Sequence, residues 1–211
     1  MKILYPPHPH IRILKNRLDN YESDGKWIAQ RKFNGTNVVV NISKYGDIGI
    51  LTRHGTAPKL FSLSRSHIEQ INSLNFEKGK EYWLNGELLD HKTKNPAYKK
   101  KIVFFDVLYA GNYLVRKMNQ DQRLQLLSSI CKDAKNTENE IAAKCTEDIW
   151  MAESWNQDFK YHFEEFIDRD EIEGLILRRK DSFIDNFGFK AHDVNWIVKC
   201  RKPHSGGNYE F

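Results

Sequence analysis

Arg31-Lys32-Phe33-Asn34-Gly35-Thr36-Asn37 is the stretch on which the reading of this chain turns. The apolar and β-branched residues on either side, Trp27 to Arg31 and Val38 to Ile42, read as two strands, with Asn34-Gly35 as the breaker between them. A glycine there lets backbone approach an anion closely, because no Cβ stands in the way. Lys32 precedes the turn. A lysine with the ordinary pKa of about 10.4 is protonated at neutral pH and cannot attack an electrophile. It becomes a nucleophile when desolvation or neighbouring positive charge favours the neutral amine. Alone the pattern is weak, since K-x-x-G arises by chance on the order of once in a chain of this composition.

Outward from that stretch, further short blocks follow in order. Ile48 to Arg53, Tyr82 to Leu89, Ile102 to Tyr109, Gly174 to Arg178 and Asn195 to Arg201 read as strands between turn residues. Ser64 to Leu74 reads as a helix capped by serine, with Ile68 and Ile71 on one face. Asn119 to Lys132 reads as the clearest helix, with Leu124, Leu127 and Cys131 at helical spacing behind an asparagine cap. Gln157 to Phe166 reads as another, with Phe159, Phe163 and Phe166 as its inner stripe. Strands outnumber helices and connections are short. The expected class is therefore α+β, with two antiparallel sheets flanked by helices rather than a doubly wound parallel sheet.

The chain has 211 residues, enough for one sizeable core, and no internal repeat divides it. Residues 1–203 are expected to form one domain and 204–211 a loose tail. Lys+Arg 33 against Asp+Glu 28 leaves a formal charge of +5, which permits a nucleic-acid partner without requiring one. Cys131, Cys145 and Cys200 are odd in number and far apart, so neither a disulfide framework nor a zinc site is expected, and a reducing, cytoplasmic setting fits. Prolines at 6 and 7 break the N-terminus before an apolar signal core, and no apolar run is long enough to span a bilayer. His8-Pro9-His10 reads as a loose end and Lys99-Lys100-Lys101 as a solvated turn. Trp83, Trp150 and Trp155 read as core or rim.

Several side chains could carry chemistry if the fold gathers them. Lys199 and Arg201 near the C-terminus would supply positive charge beside Lys32 and grip a phosphate as its charge builds. Glu87 and Glu173 adjoin glycines in strands, and two such carboxylates could bind a ribose hydroxyl and a Mg²⁺ ion. An isolated strand glutamate is more often just a solvated charge. Of the adjacent rings Phe104 and Phe105, alternation sends one inward, and the other could stack on a purine or simply fill core. No phosphate loop of the G-x-x-x-x-G-K-[ST] type, dinucleotide fingerprint or nucleophile elbow occurs.

Taken together, these blocks resemble the covalent nucleotidyltransferase superfamily of ATP-dependent DNA ligases, RNA ligases and mRNA capping enzymes. Lys32-Phe33-Asn34-Gly35 sits where that family has its nucleophile block. Thr52-Arg53-His54-Gly55, Leu84-Asn85-Gly86-Glu87-Leu88 and Phe104-Phe105-Asp106-Val107-Leu108-Tyr109 are similar to the blocks that follow. Glu173-Gly174-Leu175-Ile176-Leu177-Arg178 and Trp196-Ile197-Val198-Lys199-Cys200-Arg201 match the last two. The resemblance spans about residues 26 to 203. It implies an adenylation domain in which Lys32 forms a phosphoramidate with the AMP of ATP. Gln30 would help read the adenine and Phe105 stack on it, Arg53 and Glu87 would contact the ribose and positioned phosphate, and Asn37 would be a further nucleotide-binding residue. Glu173, with Glu87, would hold Mg²⁺ or Mn²⁺, and Lys199 with Arg201 the α-phosphate.

The implied activity is sealing of 5′-phosphate/3′-hydroxyl nicks in duplex nucleic acid. Asn34-Gly35-Thr36-Asn37 resembles the RNA-ligase branch. Phe105-Asp106-Val107-Leu108-Tyr109, Arg123-Leu124 and Arg178-Arg179-Lys180-Asp181-Ser182 look like DNA ligases, for which repair or replication would be the setting. The reading leans to DNA. The last block is one residue longer than usual between Trp196 and its basic pair, leaving Arg201 and Lys202 as alternatives. Only ten residues follow Arg201, so the family's C-terminal OB domain is not expected here and a separate nucleic-acid-clamping protein would replace it. The competing reading is a nucleic-acid-binding relative that keeps the fold without catalysis.

Overall fold

A computed structural model describes residues 5–90, 92–111, 114–184 and 193–203, and it forms two sheets with a cleft between them. The first sheet contains β1 (His8–Ile13), β2 (Trp27–Phe33), β9 (Ile172–Arg179) and β10 (Asp193–Arg201) in the order β1-β10-β9-β2. The second runs β4-β3-β5-β6-β8-β7, built from β3 (Thr36–Ile42), β4 (Ile48–Thr52), β5 (Tyr82–Leu89), β6 (Lys101–Ala110), β7 (Ala143–Lys144) and β8 (Ile149–Met151). Pairing is mostly antiparallel, as the short connections imply, with one parallel pair in each sheet, β1 with β10 and β6 with β8. The expected tail, 204–211, lies outside the described residues.

β2 belongs to the first sheet and β3 to the second, so the Asn34-Gly35 turn carries the chain from one to the other. The turn is pinned where it crosses: Asn34 N–H donates to the Glu171 carbonyl at 2.8 Å and its side-chain amide to the Asp170 carbonyl at 3.0 Å. A Cβ on Gly35 would lie 2.3 Å from the Leu88 carbonyl oxygen, so only glycine fits this crossing.

Alternation along each strand assigns its two faces. In the second sheet, Val38, Val40, Leu84, Leu88, Ile102 and Phe104 pack away from the cleft with Ile71, Leu127 and Ile130. The last three lie on α2 (Arg65–Asn72) and α3 (Gln120–Ile130). In the first sheet, Ala29, Leu175, Leu177, Val198 and Cys200 pack with Leu18, Phe159 and Phe163, from α1 (Leu18–Ser23) and α4 (Phe159–Glu164). Each fully buried aliphatic chain contributes about 1.5–3 kcal/mol, so the helices are held chiefly by these apolar faces. The inner faces carry the polar residues of the cleft, flanked by apolar clusters around Val39, Trp83 and Leu108 and around Leu89 and Val103. None of the helices among the described residues is long and apolar enough to cross a membrane.

Four local expectations change. His8 to Ile13 is an ordered edge strand, because pairing with β10 satisfies its backbone and a hydrogen bond between His8 Nδ1 and the Asp193 carboxylate at 2.9 Å anchors its start. On α3 the deepest position is Arg123 and not Leu124: the carboxylate of Asp106 is fully buried, and Arg123 Nε donates to it at 2.9 Å. On α2, His67 takes the inner place expected of Ile68, capping the helix with Ser64 and facing the Lys100 carbonyl at 3.0 Å. Lys101 leaves the lysine turn to begin β6 and pairs with half-buried Asp148 at 2.6 Å. The tryptophans follow expectation, with Trp83 and Trp150 buried and Trp155 half-buried.

Candidate active site

Strand register places the inward side chains of the first sheet in rows. Lys32 on β2 lies beside Gly174 on β9, and Gly174 beside Arg201 on β10. The next row is Gln30, Ile176, Lys199 and Arg12, one from each of the four strands. From the opposite sheet come Asn37 and Glu87, which are cross-strand partners, with Asn85 and Phe105 beside them. The two faces enclose a cleft of about 600 Å³, within the ordinary range for a small-molecule site. All nine side chains singled out above line it: Gln30, Lys32, Asn37, Arg53, Glu87, Phe105, Glu173, Lys199 and Arg201.

Lys32 and Glu173 form a direct ion pair, both largely screened from solvent, and Arg201 Nη2 reaches the same carboxylate at 3.3 Å. Burial works against a charge on Glu173, but Lys32, Arg201 and Lys92 outweigh it and hold the carboxyl below its ordinary value. Lys199 and Arg201 therefore do share the cleft with Lys32, yet its immediate partner is an anion. Glu87 behaves in the opposite way. Burial, with the Glu173 charge adding, pushes its carboxyl up to about 7 against the pull of Lys32 and of the Gly35 N–H, which donates to it at 3.1 Å. Burial and the cations Arg201, Arg12 and Lys32 lower the Lys199 amine, whose Nζ donates to the Pro9 carbonyl at 3.1 Å.

Gly174 makes this arrangement possible. Its φ is +134°, and a Cβ there would lie 2.0 Å from the Cys200 carbonyl oxygen, so a side chain would push β9 off β10 beside Lys32 and Arg201. Lys202 turns away, its Nζ donating to the carbonyls of Ile167 and Arg169 at 2.8 Å each. Of the two basic candidates, only Arg201 lines the cleft. Arg53 sits exposed at its mouth, with Nε on His54 Nε2 at 3.2 Å.

Gln30 reaches the cleft wall but its amide is engaged. Its Nε2 donates to Ser154 Oγ at 3.0 Å and the Phe105 carbonyl at 3.3 Å, and its Oε1 accepts from Arg178 Nε at 2.9 Å. Arg178 lies over the Phe105 ring, 5.1 Å from its centroid, and reaches Asp106 at 3.5 Å. Burial, with Arg123 adding to it, lowers Arg178 to about 10 despite Asp106. A buried chain of charge-assisted hydrogen bonds from Arg123 through Asp106 and Arg178 to Gln30 thus fixes the Phe105 platform.

Three buried polar atoms of this site lack a protein partner: Asn37 Oδ1, Asn85 Oδ1 and Arg201 Nε. Such atoms are costly unless something completes them, and two acceptors with one cationic donor suit a hydroxylated anion. The carboxylates of Glu87 and Glu173 interact, but no group of three acidic, histidine or cysteine side chains suited to a metal occurs among the described residues. Two carboxylates suit Mg²⁺, which completes its shell with phosphate oxygens and water.

Sequence reasoning passed over Asn85, Lys92, Ile176 and Arg178, all on the cleft wall. Alternation from Gly174 would have found Ile176 and Arg178. Lys92, whose Nζ donates to the Gly35 carbonyl at 3.0 Å, lies in a loop without periodicity, so nothing in the sequence marked it.

A family model described as RNA ligase matches residues 25–197. Among solved structures, the ligase domain from M. tuberculosis LigD superposes with a TM-score of 0.62 at 16% identity, covering 94% of this chain and 60% of that one. The ATP-dependent DNA ligase from bacteriophage T7, solved in complex with ATP, gives 0.52 at 10% identity, covering 94% and 68%. A Lig E DNA ligase gives 0.50 at 14% identity, covering 96% and 69%. The chain thus spans about two thirds or less of the length of these ligases, and at such identities the likeness is one of fold. No curated protein matches the sequence.

Proposed function

Since the chain belongs to the RNA ligase family, we propose that it is an ATP-dependent polynucleotide ligase that seals nicks through a lysyl-AMP intermediate on Lys32. The domain itself is of the ATP-dependent DNA/RNA ligase type. The observation that carries the proposal is the gathering of Lys32, Glu173, Arg201, Lys199 and Glu87 in one cleft from four strands.

In the first step Lys32 Nζ attacks the α-phosphorus of ATP. The P–N bond forms, the bond to the bridging oxygen breaks, pyrophosphate leaves and Nζ gives up a proton. Lys32 must first leave its pairing with Glu173 and give a proton to solvent, since an ammonium has no lone pair to attack with. Arg201 and Lys199 face the α-phosphate and stabilise the charge that grows on its oxygens. Asn37 and Asn85 offer their unpartnered acceptors to ribose hydroxyls, and the purine lies between Phe105 and Ile176. Glu173 and Glu87 would hold Mg²⁺ or Mn²⁺, which supplies charge neutralisation for the phosphates. The AMP then passes to a 5′-phosphate end, and a 3′-hydroxyl displaces it to close the strand.

The proposed substrate is nicked duplex DNA, on the strength of the Phe105-Asp106 block and its buried Arg123 partner. RNA ends are the second reading, favoured by the family match and by Asn34-Gly35-Thr36-Asn37. Nicks whose 3′-side strand is all DNA, all RNA or DNA ending in one ribonucleotide decide between them. Sealing is expected on the DNA nick, and exclusive sealing of RNA overturns that choice. Salt-sensitive binding of a nick without any label from α-labelled ATP would instead identify a non-catalytic relative.

A further inference from the structure

The first sheet carries more positive charge than transfer of AMP needs. Arg12 on β1 is the register partner of Lys199 in the parallel pair, exposed and outside the cleft lining that Lys199 belongs to. No carboxylate pairs with either residue among the described residues, and Arg12 contributes to lowering the Lys199 amine. The nearby anion is Asp193, which acts on the Lys199 amine but has His8 and His10 as its direct partners at 2.9 and 3.5 Å. The cleft continues to that strand, where Pro6, Pro7, His8 and Pro9 form part of its wall. Two cations without a salt-bridge partner among the described residues, one lining a nucleotide-sized cleft and the other exposed on the neighbouring strand, are a site for a polyanion.

Direction fixes which one. Attack at phosphorus places the incoming and departing groups roughly in line. Lys32 stands on β2, and the cations run outward through Arg201 and Lys199 on β10 to Arg12 on the edge strand. With neighbouring strands about 4.8 Å apart, that line crosses three steps, about 14 Å at the backbone, which long side chains from both ends narrow to the span of a triphosphate. We infer that β1 supplies a second phosphate subsite, in which Arg12 beside Lys199 receives the β- and γ-phosphates of the nucleotide and the pyrophosphate that leaves. The inference rests on nucleotidyl transfer by Lys32 and adds the fate of the leaving group. β1 also anchors Lys199, whose Nζ donates to the Pro9 carbonyl at 3.1 Å.

The test separates a pyrophosphate contact from a polynucleotide contact. The lysyl-adenylate forms of the wild type, Arg12→Ala and Arg12→Lys are each mixed with magnesium pyrophosphate, and the return of ATP is timed. The same proteins are timed in sealing a nick already adenylated at its 5′ end, a step in which pyrophosphate takes no part. The subsite predicts that Arg12→Ala lowers the ratio of pyrophosphorolysis to sealing about tenfold, the scale of one charge-assisted contact, with Arg12→Lys recovering much of it. An unchanged ratio, whether both rates fall together or neither moves, overturns it. A wild type that takes up no AMP would count against nucleotidyl transfer itself. Calorimetric titration with magnesium pyrophosphate still decides the subsite in that case: equal affinity in wild type and Arg12→Ala overturns it.

Discussion

Glu87 is the side chain whose charge state the cleft holds closest to neutrality, with its carboxyl pushed up to about 7 by burial and the nearby Glu173 charge. A carboxyl raised in the fold is more readily protonated there than in the unfolded chain. Its cost to stability is therefore absent below about 4.5, grows as pH rises and is complete above about 7. Function runs the other way, because cation and ribose contacts need the carboxylate. AMP transfer to Lys32 is expected to rise with pH through an inflection near 7 that Glu87→Gln abolishes, and a pH–rate profile of both proteins shows whether it does. Glu173→Gln removes the anion that pairs with Lys32 and Arg201, so it is expected to weaken Mg²⁺-dependent adenylation by more than tenfold while leaving the protein folded. The site residues were legible as types: lysine before Asn-Gly, glutamates beside glycines, paired late cations. Their pairings were not, since the nearest neighbour of Lys32 is an anion that sequence order does not reveal.

At the scale of elements, the central strands were readable because β-branched residues cluster between strong breakers, and Tyr82 to Leu89 appears as read. β1 was not, because Pro9 between two histidines hides a strand whose support comes from β10, some 185 residues away in the chain. The inner face of α3 was misjudged for a related reason. Periodicity counts apolar residues, whereas Arg123 is buried because Asp106 on β6 requires a counter-charge. Arg123→Ala would leave that carboxylate with Arg178 as its cation, at 3.5 Å, beside hydrogen bonds from the Val107 N–H and the Gln120 amide. The expected loss is about 3–5 kcal/mol, read as a fall in Tm on the order of 10 °C. A change within a degree or two would show that the pair is not what holds α3 to β6. Gly174→Ala would place a Cβ against the Cys200 carbonyl and part β9 from β10, so it is expected to lower Tm and abolish labelling of Lys32 together. Normal labelling would mean that the tight approach of these strands is not needed for chemistry.

The described residues form two sheets joined at the Asn34-Gly35 turn, with helices on the outer faces and the polar cleft on the inner, flanked by apolar clusters. That plan explains why separate blocks of sequence, unremarkable singly, were informative in order. Each is a strand segment whose inward residues face the same cleft. With a formal charge of +5, binding of nicked duplex is expected to weaken steeply with salt, and a flat salt dependence would argue against contact with the phosphate backbone. The central claim concerns one bond. After incubation with ATP and Mg²⁺, peptide mapping by mass spectrometry should find a single AMP on Lys32, absent from Lys32→Ala. AMP carried by any other residue, or by the Lys32→Ala protein to the same extent, would contradict the account.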